Sequence, residues 1–189
     1  MTGLTICFGV VAGARADLLA RETALHPGGQ AYEVNRDNQG LVWISDYKAG
    51  QVWGYYPEDA ELEAYFEVYP VLGHPSDARH DGQNLWWADG ESNILGQAST
   101  TDGAFNLWEV PGVTGFNGTA LDTLGRLWAT AAKTSLLYRL DPLHDELCVF
   151  TLPIDGKSDY ILSDGGFLWL GDRVNERLLR LKVAIEEDE

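Results

Sequence analysis

Asp122-Thr123-Leu124-Gly125-Arg126-Leu127-Trp128 is a turn followed by an aliphatic residue and a tryptophan. Its pattern returns along the chain at Leu41-Val42-Trp43, Leu85-Trp86 and Leu168-Trp169. The four tryptophans, Trp43, Trp86, Trp128 and Trp169, stand 43, 42 and 41 residues apart. A large residue recurring at that period marks a repeat architecture.

The repeat extends on both sides of the tryptophan. Before it lie the turns Asp37-Asn38-Gln39-Gly40, Asp81-Gly82 and Asp164-Gly165-Gly166. Aspartate caps such turns with its own carboxylate, and glycine supplies positive φ without steric cost. Three residues after the tryptophan come Asp46, Asp89, Ala131 and Asp172; nine after it come Val52, Leu95, Leu137 and Leu178. In the first three repeats a second turn follows (Pro57-Glu58-Asp59, Thr101-Asp102-Gly103, Asp141-Pro142), then an apolar-polar run such as Phe105-Asn106-Leu107-Trp108-Glu109-Val110. Four strand-like segments separated by turns make one propeller blade. The expected fold is all-β: a β-propeller of about four visible four-stranded blades at 30–70, 71–111, 112–153 and 154–183, an incomplete or assembled ring.

Composition agrees. The chain has 189 residues, 45% of them hydrophobic, which suits a packed core rather than disorder. Seven tryptophans fit broad sheet faces. The net charge of −16 repels phosphate backbones, so nucleic acid is excluded as a partner, while cations and basic protein faces are favoured. No stretch is long and apolar enough to span a bilayer.

The ends are read separately. Residues 1–16, with an apolar run and Ala14-Arg15-Ala16, resemble a secretory signal that lacks a basic n-region, giving a periplasmic or secreted protein. Residues 18–25 resemble the last strand of a blade without a blade of its own, whereas the fourth repeat reaches Val183 without its last strand. The expectation is that 18–25 fills that place and closes the ring, so that deleting 17–27 would bare an edge and promote aggregation. Residues 184–189 read as a solvated acidic tail. Cys148 reads as a small buried apolar residue.

The string D-x-x-G-x-L-W, carried by Asp122 to Trp128, with Asn93-Ile94-Leu95-Gly96, is similar to blades of the virginiamycin B lyase (streptogramin lyase) family. The resemblance covers residues 30–183. It implies a seven-bladed propeller that opens a C–O lactone bond with a metal ion, two histidines and a glutamate. It also implies a histidine eleven residues before the tryptophan and a glutamate three after it. Those positions here hold Tyr32, Pro75, Asn117 and Ser158, then Asp46, Asp89, Ala131 and Asp172. Neither residue type is in place.

Blade geometry nonetheless singles out one mouth of the channel, because the first strand starts where the second ends. Tyr32, His74, Asn117, Lys157 and Ser158 are the ligand-binding candidates there. Asp46, Asp89 and Asp172 are the metal candidates, since three carboxylates around one opening suit Ca2+ or Mg2+. The competing reading makes each aspartate the cap of its own turn. His80 and His144 fall on other turns and do not converge with His74. The repeated tryptophans read as core. Trp53, Trp108, Tyr55, Tyr56, Tyr65 and Tyr69 read as inter-blade packing or as an exposed binding face.

Two functions follow. One is a non-catalytic binding or assembly module taking a protein partner or small ligand, as a monomer, a homo-oligomer or part of a larger assembly. The other is a metal-assisted lyase or hydrolase at the channel mouth.

Overall fold

The computed structural model describes residues 29–56, 65–131, 133–154, 158, 160–172 and 174–183. The expected signal segment, the closing strand at 18–25, Lys157 and the acidic tail lie outside the described residues.

Fifteen strands follow one another: β1 (Ala31–Arg36), β2 (Val42–Asp46), β3 (Gln51–Tyr56), β4 (Tyr65–Pro70), β5 (Pro75–His80), β6 (Asn84–Asp89), β7 (Ile94–Ser99) and β8 (Phe105–Glu109). Then come β9 (Phe116–Leu121), β10 (Leu127–Ala131), β11 (Leu136–Asp141), β12 (Glu146–Thr151), β13 (Ile161–Ser163), β14 (Phe167–Asp172) and β15 (Arg177–Lys182). They form sheets β1-β2-β3-β4, β5-β6-β7-β8, β9-β10-β11-β12 and β13-β14-β15, each an antiparallel meander. These are four blades of a β-propeller, with three strands described in the last. No helix long and apolar enough to cross a membrane occurs among the described residues.

The turn-and-tryptophan motif has one physical explanation in all four blades. Asp37, Asp81, Asp122 and Asp164 each accept a hydrogen bond at 2.8 Å from the indole Nε1 of their own blade's tryptophan. The second carboxylate oxygen accepts backbone N–H groups of the turn, such as Gln39 and Leu41 on Asp37. One side chain therefore closes the turn and orients the indole. The glycines closing these turns, Gly40 and Gly125 among them, have φ of +91° and +75°, which a Cβ disfavours.

So oriented, each tryptophan packs on the next blade. Trp43 and Val52 meet Ala78, Leu85 and Trp87. Trp86 and Leu95 meet Phe116, Leu127, Ala129 and Tyr138. Trp128 and Leu137 meet Ile161, Leu168 and Leu170. Side-chain alternation lets one strand serve two interfaces, as with adjacent Trp86 and Trp87, both 1% exposed on opposite faces. The innermost strands continue the series, β1 packing on β5, β5 on β9 and β9 on β13; no comparable packing of β13 on β1 closes it among the described residues.

The fourth repeat departs from the expected burial. Trp169 is half-buried and Leu178 is 65% exposed, whereas Val52, Leu95 and Leu137 in its register are buried. The pattern is intact; no described blade lies on that side to cover it. Cys148 is also only half-buried, with its Sγ 3.2 Å from Arg139 Nη2, because the outermost strand keeps one side in solvent.

The extra aromatics serve packing. Trp53 is 8% exposed, Trp108 stacks on Trp86 at 6.2 Å, and Tyr69 lies 5.6 Å from Trp43. Tyr65 begins β4.

Candidate functional site

The expected mouth exists. Pairing sets Ala31 opposite Asp46, Pro75 opposite Asp89 and Phe116 opposite Ala131, so first-strand starts and second-strand ends share one end of the propeller. Tyr32 and His74 come together there across the junction of blades one and two, through a residue the sequence reading did not select. Tyr47 lies between them, its ring 5.1 Å from Tyr32 and 5.3 Å from His74. Its hydroxyl donates to Glu91 Oε1 at 3.0 Å, and His74 Nδ1 is 3.8 Å from Glu91 Oε2. Burial, then the Glu91 carboxylate, push the Tyr47 hydroxyl up to about 12, so it stays a donor at neutral pH.

Glycine admits this arrangement. A Cβ on Gly90 would sit 2.7 Å from the Tyr47 ring. A Cβ on Gly73 would fall on the Asp89 carboxylate. Tyr47 was legible only as an aromatic one place past the recurring aspartate; nothing in the repeat marks it, because Gly90 takes that place in blade two.

Asn117 is half-buried at the same end, and Ser158 is buried, donating to the Tyr160 carbonyl at 3.2 Å. The three aspartates are each spent locally. Asp46 Oδ1 accepts the N–H of Gln30 and Ala49; Asp89 accepts those of His74, Glu91 and Ser92. Asp172 accepts Asn175 and the Arg177 guanidinium, whose Nε lies at 2.7 Å. Asp46 Oδ2 is buried without a hydrogen-bond partner among the described residues, yet it has no companion ligand. Among those residues no three His, Cys, Asp or Glu side chains stand close enough to hold a metal ion. The geometry is that of turn caps.

The channel holds a second cluster. Asp77 on β5, 2% exposed, links three blades: Asn35 Nδ2 donates to Oδ1 at 2.6 Å and Thr119 N–H to Oδ2 at 2.6 Å. Arg79 Nη2 lies 3.1 Å from Asp77 and its Nε donates to the Thr119 carbonyl at 2.9 Å. Burial pushes the Asp77 carboxyl up to about 6, with Glu33 adding to it and Arg79 and Thr119 opposing it. A carboxyl raised in the fold adds stability below its ordinary 3.8 and loses that contribution as pH climbs through about 6. The stability advantage of the parent over Asp77→Asn is therefore expected to shrink by about 1–3 kcal/mol between pH 4 and pH 7. Urea unfolding of both proteins across that range checks it; a constant difference would show that Asp77 titrates normally.

At the opposite end the motif turns surround a cavity of about 760 Å3 lined by residues of all four blades, including Arg36, Asp37, His80, Asp122 and Asp164. His80 Nδ1 lies 2.9 Å from Asp37 Oδ2, its ring 4.3 Å from Trp43. His144 bonds Asp141 on an outer turn at 3.0 Å. Both histidines are thus apart from His74, as expected.

No family model and no curated protein matches this chain in sequence. Solved structures do. Virginiamycin B lyase from Staphylococcus aureus is similar at 16% identity and TM-score 0.65 over 87% of this chain and 59% of that one. A nidogen/laminin complex is similar at 15% identity and TM-score 0.61, over 78% and 57%. So is the extracellular domain of a hybrid two-component system from B. thetaiotaomicron, at 15% identity and TM-score 0.54, over 85% and 22%. The chain thus spans about three-fifths of the lyase's length. At these identities the likeness is one of fold: the chain has the β-propeller architecture of virginiamycin B lyase.

Proposed function

We propose that this chain is an exported, non-catalytic binding module that recognises a cationic group, such as a basic side chain on a partner protein, at the Tyr32–Tyr47–His74–Glu91 mouth. The observation that carries the reading is the series of tilted, packed aromatic rings beside a carboxylate. Tyr32 is 54% exposed, so an aromatic face and the Glu91 oxygens are both open to a ligand. Cations are attracted to aromatic faces by about 0.5–2 kcal/mol, and an anionic surface raises their local concentration. The net charge of −16 supplies that surface. Export is supported by the signal-like residues 1–16 and by the extracellular setting of one structural neighbour. Lyase chemistry has no comparable support, because Tyr32, Pro75, Asn117 and Ser158 replace the histidine of the resemblance.

Calorimetric titration with a tetra-arginine peptide at low salt tests this. Binding is expected, and Glu91→Gln or Tyr32→Ala should each weaken it about 3- to 30-fold. Asp102→Asn, on a distant outer turn, should leave it unchanged. Equal losses from Asp102→Asn and Glu91→Gln would reduce the binding to general charge attraction, and a flat trace would remove it.

A further inference from the structure

We propose that His74 makes cation binding at the Tyr32–Tyr47–His74–Glu91 mouth depend on pH: its neutral imidazole leaves Glu91 to the ligand, and its imidazolium takes the ligand's place. This rests on the binding role proposed for that mouth and adds its regulation. A cation held there at neutral pH is released in acidic surroundings.

The two oxygens of Glu91 face different neighbours. Oε1 accepts the Tyr47 hydroxyl at 3.0 Å, and Oε2 lies 3.8 Å from His74 Nδ1. Burial, then Glu91, push the Tyr47 hydroxyl up to about 12, so it remains a neutral donor while the imidazole titrates. At 3.8 Å a neutral imidazole makes no hydrogen bond to Oε2, and the carboxylate keeps its charge for a ligand. An imidazolium at that distance is an ion-pair partner, and it sets a second positive charge beside the place of the bound cation.

The surroundings hold the imidazole there. The His74 N–H donates to Asp89 Oδ2 at 3.1 Å, and the His74 carbonyl accepts the Gly90 N–H at 2.8 Å. The Tyr47 ring packs 5.3 Å from the imidazole, with Tyr32 on its other contact at 5.1 Å. The titratable groups facing His74 are thus Tyr47 after β2, with Tyr32 of β1 beyond it, Asp89 at the end of β6, and Glu91 just after it. Asp89 is 2% exposed and spent on the N–H groups of His74, Glu91 and Ser92. Glu91 is therefore the carboxylate that His74 and a ligand share. The His74 and Glu91 side chains are 44% and 59% exposed, so protons reach them freely and water keeps their coupling modest.

Calorimetric titration with tetra-arginine at pH 8 and pH 5.5 tests the proposal. Guanidinium stays charged at both values, and imidazoles titrate between them while ordinary carboxylates stay ionised. Parent binding should weaken about 2- to 6-fold at pH 5.5. His74→Gln, checked for folding by circular dichroism, should bind about equally at the two pH values; that ratio is the readout, whatever its affinity at pH 8. Linkage is reciprocal, so at pH 6.5 the parent should also expel a fraction of a proton on binding, read as a heat that changes with the buffer's ionisation enthalpy. That second measurement decides the matter without any variant. Equal parent affinities at the two pH values, a ratio that survives in His74→Gln, or binding without proton release would each overturn this inference and leave the binding role standing. A flat trace at pH 8 would remove both.

Discussion

Trp86→Ala is expected to destabilise the chain by about 3–5 kcal/mol, while the same change at Trp169 costs about 1–1.5 kcal/mol in the monomer. The two indoles share a strand register, an aspartate turn and a 2.8 Å hydrogen bond to its carboxylate. They differ in what lies beyond. Trp86 is 1% exposed against Phe116, Leu127 and Tyr138, so its removal leaves a cavity that two sheets cannot collapse to fill. Trp169 is half-buried, and water fills the space it leaves. Chemical denaturation of both variants at dilute concentration measures the contrast. Equal costs would show that the indole acts through its own blade and that inter-blade packing is not what the repeat conserves energetically.

That contrast shows why the fold was legible and the site only partly so. A tryptophan at a period near 42 residues, with a turn before it and an aliphatic residue nine after it, specifies a blade from local pattern alone. Val52, Leu95 and Leu137 are buried as that pattern demands. Leu178 follows the same pattern and is exposed, because burial at that register depends on the next blade and not on the residue. The mouth was legible through antiparallel pairing, which places Tyr32 and His74 at the end where Asp46 and Asp89 stand. Tyr47 was not, since it joins its neighbours through a junction between repeats, and the repeat pattern describes only what happens within one. Asp77 was missed for the same reason: its partners Asn35 and Thr119 are 42 residues away on either side, in other blades. The recurring aspartates after the tryptophan fit both a metal site and turn caps in the sequence; Asp46, Asp89 and Asp172 each accept backbone N–H groups of their own turn, while blade three has Ala131 in that place.

Asp122→Ala is expected to cost about 3–5 kcal/mol, more than the same change at the equivalent Asp81. Both carboxylates hold an indole N–H at 2.8 Å and two turn N–H groups. Only Asp122 also pairs with a buried cation. Arg126 Nε lies 2.7 Å from its Oδ2, and the two side chains are 4% and 0% exposed. Removing the carboxylate takes the buried counter-charge from a guanidinium that lies 6.0 Å from the Trp128 ring centroid, in a place with little water. Removing both charges together avoids that penalty, since a buried ion pair replaced by apolar groups of similar volume is often close to neutral. The pair Asp122→Asn with Arg126→Met should therefore cost at least about 1 kcal/mol less than the sum of the two single changes. Urea unfolding of the four proteins closes that cycle. Additive costs would mean that Asp122 stabilises blade three as a turn cap alone, and that Arg126 draws its stability from other neighbours.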